Sequence, residues 1–240
     1  GYLLLIMLFV PALSWRSAPS GLHAQIDAGL ASAAVDSLSA QPKADSLPWK
    51  YRTRFGAGLN TVQLNNWAGG GQDAVTIRGL VLGTLDHVTG RFSWENDLDL
   101  GYSLTKLGSQ SFRKADDRIV FGSKASIKQT DMLRWTAFVD FRTQFAVGYN
   151  YDQPDSTQSG TFLKISNFLA PAFLTGSIGA EWTPVPEFRF MVAPLASRTT
   201  FVLDEDLSNR GAFGVDSGAS VTSDVGAVLN SSVLWEFVEN

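Results

Sequence analysis

The stretch RFSWENDLDLGYSL, residues 91 to 104, is two sequences interleaved. Phe92, Trp94, Asn96, Leu98, Leu100, Tyr102 and Leu104 hold the even positions, and Arg91, Ser93, Glu95, Asp97, Asp99, Gly101 and Ser103 the odd ones. A period of two is the strand period, because successive side chains of a pleated strand point to opposite faces. The segment is therefore a strand between an apolar and a polar surrounding. A half-buried strand of a soluble sandwich would alternate in the same way, so the rest of the chain must decide which two surroundings these are.

The pattern recurs. Segment 133 to 151 sets Leu133, Trp135, Ala137, Val139, Phe141, Phe145, Val147, Tyr149 and Tyr151 against Arg134, Asp140, Arg142, Gln144 and Asn150. Segment 49 to 59 alternates Trp49, Tyr51, Phe55, Ala57 and Leu59 with Lys50, Arg52, Arg54, Gly56 and Gly58. Segment 224 to 237 opposes Val225, Ala227, Leu229, Val233, Trp235 and Phe237 to Asp224, Gly226, Asn230, Ser232 and Glu236. Weaker examples near 74–86, 117–128, 168–182 and 187–203 complete eight strand candidates. The connections alternate in length: short at 86–91, 128–131 and 183–187, long at 64–73, 107–117, 152–167 and 204–223.

Short turns on one rim and long loops on the other are the build of an outer-membrane barrel. Tryptophan favours a membrane interface, and Trp49, Trp94, Trp135, Trp182 and Trp235 all fall near strand ends on the short-turn side. The fold expected is thus all-β: an antiparallel transmembrane β-barrel of at least eight strands, with short periplasmic turns and longer extracellular loops. In that reading the five tryptophans form an interfacial girdle. Glu95, Asp97, Asp99, Arg134, Asp140 and Arg142 form a charge ladder in the lumen, with Lys50, Arg52, Arg54, Lys124 and Lys128 as further counter-charges. A charge on the lipid face would instead cost about 2 to 4 kcal/mol at the midplane.

The first 24 residues hold an apolar run, YLLLIMLFVPALSW, that is short and interrupted by Pro11, followed by LHA before Gln25. That is a secretory signal, expected over 1–24. Residues 25–48, rich in Ala, Ser and Asp, read as a flexible periplasmic segment, and 49–240 as the barrel, with further strands expected beyond it. A net charge of -4 argues against nucleic acid, and zero cysteines exclude thiolate metal sites and a cysteine nucleophile.

The blocks NNWAGGGQDA (65–74), WENDLDLGYS (94–103), RKADDRI (113–119), TQFAVGY (143–149), ISNFLAPAF (165–173) and LSNRGAFGV (207–215) resemble the domain-of-unknown-function family DUF3078. The resemblance implies an exported protein of Bacteroidota taken to lie in the outer membrane. It brings no activity and no catalytic residues. The expected partners are outer-membrane lipid, lipopolysaccharide and the barrel-assembly machinery, with no cofactor; the oligomeric state stays open.

Chemistry at single sites is weakly signalled. Asp116 and Asp117, or Asp204, Glu205 and Asp206, offer hard oxygens for calcium but lack the spacing of a known loop. WAGGGQD lacks the Lys-Ser/Thr ending of a phosphate loop. His87, alone beyond the signal, falls on the short-turn rim, the wrong end for the known barrel hydrolases. The chain is expected not to be an enzyme. Two functions stand open: a narrow channel for a small solute or ion, or a filled structural barrel acting through its outer loops.

Overall fold

In the computed structural model, residues 49–64, 71–154 and 162–233 are described. The expected signal and linker, Trp67, Trp235 and most of the glycine-rich loop lie outside them. Among the described residues ten strands follow in chain order: β1 (Trp49–Val62), β2 (Ala74–Thr89), β3 (Phe92–Leu107), β4 (Arg113–Lys128), β5 (Leu133–Thr143), β6 (Gly148–Pro154), β7 (Phe162–Ser166), β8 (Ala172–Val185), β9 (Phe188–Phe201) and β10 (Val221–Val233). Each alternating segment of the sequence lies wholly or largely on one of them, except 133–151, which is divided.

The division has a local cause. The amides of Phe145 and Ala146 donate to the Asp117 carboxylate at 2.7 and 2.9 Å, and Gln144 Nε2 donates to the Ala170 carbonyl at 3.2 Å. Backbone donors that would continue the ladder are satisfied by a side chain. The strand ends at Thr143, and β6 starts a separate hairpin with β7.

The other eight strands form one antiparallel sheet in the order β1-β2-β3-β4-β5-β8-β9-β10. Its short turns (90–91, 129–132, 186–187) share one rim and its long connections the other. Pro194 lies inside β9, where a missing N–H would break a ladder. It is placed at a bulge: the pairing of β8 with β9 slips between Ile178 and Ala180, leaving Ala193 and Pro194 opposite Gly179 alone.

The sheet is open, which corrects the expected closed barrel. Among the described residues β1 pairs only with β2 and β10 only with β9, so both outer strands keep a free edge. Alternation reports that a strand has two unlike faces. It carries no information about whether the first and last strands meet, because closure is a non-local pairing.

The two faces differ as the sequence periodicity requires, but the polar side is the enclosed one. Asp140, Ser177, Glu181 and Thr200 are buried, whereas Trp135, Ile178 and Leu195 are 55%, 59% and 56% exposed. Among the described residues the buried apolar cluster lies at the long-loop rim. Ala170, Val202, Leu207 and Val215 pack there with Ala212, under a segment expected to be a plain loop. That segment contains a short helix, α1 (Glu205–Asn209), capped by the Asp204 carboxylate, which accepts from the Leu207 amide at 3.2 Å.

Candidate functional site

The register turns the expected charge ladder into rows across the polar face. Lys50 stands opposite Asp86, Asp86 opposite Glu95, and Glu95 opposite Lys124. In the next row Thr84 separates Arg52 from Asp97, and Gly122 separates Asp97 from Asp140. In the third, Leu82 lies between Arg54 and Asp99, and Val120 between Asp99 and Arg142. The six ladder residues thus share a face without forming one cluster. Because the sheet is unclosed, they line no lumen.

Their partners are specific. Arg118 Nε donates to Asp99 at 3.0 Å and the same guanidinium bonds Asp116, which also lies 3.8 Å from Arg78. Gly101 makes room for this, since a Cβ there would fall 2.8 Å from the guanidinium carbon. Arg142 Nε donates to Asp140 at 2.6 Å within β5. Lys124 turns away from Glu95 and donates to the buried Glu181 at 2.7 Å, with Arg189 at 3.8 Å from the other oxygen and Arg134 opposite in the register. Arg118, Glu181 and Arg189 were not singled out in the sequence; only the strand register could have found them.

Asp97 is left among acids. Burial pushes its carboxyl up to about 6, helped by the nearby charges of Asp86 and Glu95. Burial also raises Asp86, against the pull of Arg52 and Lys50.

Of the acids that could offer oxygens to calcium, Asp116, Asp117, Asp204 and Asp206 are engaged by lysines and arginines. Asp117 takes a charged bond from Lys114 at 2.8 Å in addition to its two amides. Asp204 caps α1 and accepts from Lys164 at 2.9 Å and Asn167 at 2.8 Å. Burial alone would raise the Asp204 carboxyl, but these bonds hold it below the usual range. Among the described residues no three metal-ligating side chains converge. His87 lies with its ring centroid 4.2 Å from that of Trp49, and its Nε2 is 2.9 Å from the Thr89 hydroxyl.

The tryptophans are brought together on the apolar face near the short-turn rim. Trp49 and Trp94 sit on either side of His87 in the register, Trp135 opposite Ile127 and Ala180, and Trp182 opposite Leu133 and Phe190. All four are more than a third exposed. Trp94 Nε1 donates to Ser123 Oγ at 2.9 Å, Ser123 donates to Asn96 Oδ1 at 2.8 Å, and Asn96 donates to the Leu85 carbonyl at 3.1 Å. That chain accounts for the one polar residue, Asn96, on the apolar side of the opening stretch. A shallow cleft of about 590 Å³ also involves this face; Phe55, Ala57, Gly79, Tyr102 and Phe145 are among its lining residues.

Residues 59–149 match the family model of DUF3078, described as a protein of unknown function. The match runs from within β1 to the second residue of β6 and is consistent with membership of that family. It takes in four of the six sequence blocks through which the chain resembles DUF3078. No curated protein and no solved structure matches the chain.

The open sheet also corrects what was built on closure. A channel or filled barrel needs an enclosed bore, and a transmembrane strand array needs every edge paired; β1 and β10 leave theirs unpaired among the described residues. The outer-membrane location, the porin-like role, and lipid, lipopolysaccharide and the barrel-assembly machinery as partners all rested on that barrel and fall with it.

Proposed function

We propose that the chain is a non-catalytic interaction module, a sheet that works by pairing with other polypeptide. The observation that carries this is the pair of free edges, β1 with 14 residues and β10 with 13, flanking an exposed apolar face. Each edge presents a row of backbone donors and acceptors, and only another strand offers the complementary row. Much of the polar face, Asp97 excepted, is served by partners within the chain, through Arg118, Lys124, Arg142 and their acids. The surfaces left to act are the edges and the apolar face. A non-catalytic role is supported by the engagement of His87 with Trp49 and Thr89, and of Asp117 and Asp204 with lysines.

Hydrogen exchange tests the reading. In the protein purified in its native association, outward amides of β1 and β10 should exchange as slowly as those of β3 and β4. Maleimide should label cysteines placed at Ile178 and Leu195 far more slowly than in the unfolded chain. Fast exchange at both edges and fast labelling in a folded, monodisperse sample would remove the proposal.

A further inference from the structure

The two free edges are matched to each other. They have nearly equal length, and along the meander of eight strands β1 and β10 run in opposite directions. Both alternate in phase with the sheet: Tyr51, Phe55 and Leu59 continue its apolar face at one side, and Val225, Leu229 and Val233 at the other. These six are among the most exposed apolar residues of the molecule, Tyr51 at 84% and Val225 at 72%. Charge distinguishes the edges. β1 carries Lys50, Arg52 and Arg54 on the polar face and no acid; β10 carries Asp224 there and no cation.

We propose that a second copy of this chain docks head to tail, β1 of one copy pairing antiparallel with β10 of the next. The inference rests on the interaction-module reading and adds the partner. In such a joint the polar face runs into polar face and the apolar into apolar, and the edge N–H and C=O groups find a ladder. Joining β1 to β1 antiparallel about Arg52 would instead set Lys50 against Arg54 and Arg52 against its own copy, and like charges across a strand pair are unfavourable. The cations of β1 therefore oppose self-pairing in that register, whereas on the other edge Asp224, itself opposite Arg198 of β9, offers them one counter-charge. The contact is heterologous, so it propagates from copy to copy.

The chain has no cysteine, so single ones report cleanly. One preparation carries Thr53→Cys; four others each carry one cysteine at Ser223, Val225, Ala227 or Leu229. Mixing the first with each of the others under mild oxidation should give a covalent pair of chains at one of the four positions, or at two positions two residues apart. Thr53→Cys alone should give little. The triple variant Lys50→Glu, Arg52→Glu, Arg54→Glu, checked for native circular dichroism, should weaken association about fivefold, because an attraction to the single Asp224 is exchanged for a repulsion. If that variant does not fold, Asp224→Lys provides the same test from the other edge.

Absence of any inter-chain bond would overturn the proposal. So would a double variant such as Thr53→Cys/Val225→Cys closing its disulfide within a single chain at high dilution. Either result with slow exchange at the edges in the native association would leave the interaction-module reading standing and reject only the second copy.

Discussion

Asp97 shows how one residue can be well placed by pattern and still be in tension with its surroundings. Its position on the polar face, two residues from Glu95, follows from its odd place in the stretch 91–104, but its neighbour across the strand follows only from the register, which adds Asp86 rather than a cation. Burial with those two charges sets the carboxyl at about 6. The folded state thus binds a proton more tightly than the unfolded chain, and linkage fixes the sign: this group's stabilisation is complete below pH about 4 and is lost as pH rises through about 6. Asp97→Asn should therefore raise the unfolding free energy at pH 7.5, by on the order of 1 kcal/mol after allowance for solvent screening, and do little at pH 4. Equal effects at both pH values in thermal unfolding would show that the carboxyl is not strained. Gly179 is a second residue whose identity is dictated by geometry. A Cβ there would lie 2.1 Å from the Val192 carbonyl oxygen, backbone that cannot move aside without undoing the bulge. Gly179→Ala should cost about 1 to 3 kcal/mol in denaturant unfolding, whereas Gly176→Ala, with open space at its Cβ, should be nearly neutral.

At the scale of elements, the strands were legible because period two is a local property: seven of the eight candidate segments fall on single strands of the main sheet, and the eighth, 133–151, runs from β5 into β6. What was not legible has a common cause, side chains reaching far along the sequence. Asp117 ends β5 by taking the amides of Phe145 and Ala146, and Lys164 ties β7 to Asp204 ahead of α1. No window of adjacent residues contains those pairs. The ladder acids were identified, but Glu181 and Arg118, which organise the charges around them, were not. Asp117→Ala should accordingly loosen a whole element. It strips Lys114 of its carboxylate and leaves two amides unpaired, and breaking a buried pair in this way costs about 3 to 5 kcal/mol. Hydrogen exchange should accelerate across 144–154 first, ahead of β2 and β3; uniform acceleration of the sheet would mean that Asp117 has no special hold on this hairpin. Asp204→Ala should cost about 1 kcal/mol through the lost helix cap. Because the Asp204 carboxyl is held below its usual range, the stabilisation it gives the 202–220 segment should be intact above pH 4 and fade as acid protonates it.

For the whole molecule the decisive property is that the enclosed side of the sheet is the charged one. The sequence showed two unlike faces and could not show whether the sheet closes, since that depends on a contact between residues at its opposite ends. An ordinary sheet protein buries its apolar face and is damaged by charges placed there. Here the expectation is reversed for the separated module. Ile178 is 59% exposed on the apolar face, so Ile178→Lys should change the stability of the isolated sheet by no more than about 0.5 kcal/mol, as other exposed substitutions do. Ala193, wholly buried opposite Gly179 at the bulge, has no room for the same side chain, and Ala193→Lys should cost about 3 kcal/mol or prevent folding. The variants should separate again in the native association. Ile178→Lys, folded when alone, should lose that association if the apolar face is covered by polypeptide, because a lysine would then be buried without a partner. Unfolding of the monomer beside sedimentation of the associated form reads both effects. A stable Ile178→Lys monomer that still associates with undiminished affinity would show that the apolar face takes no part and would leave the two edges as the whole of the interacting surface.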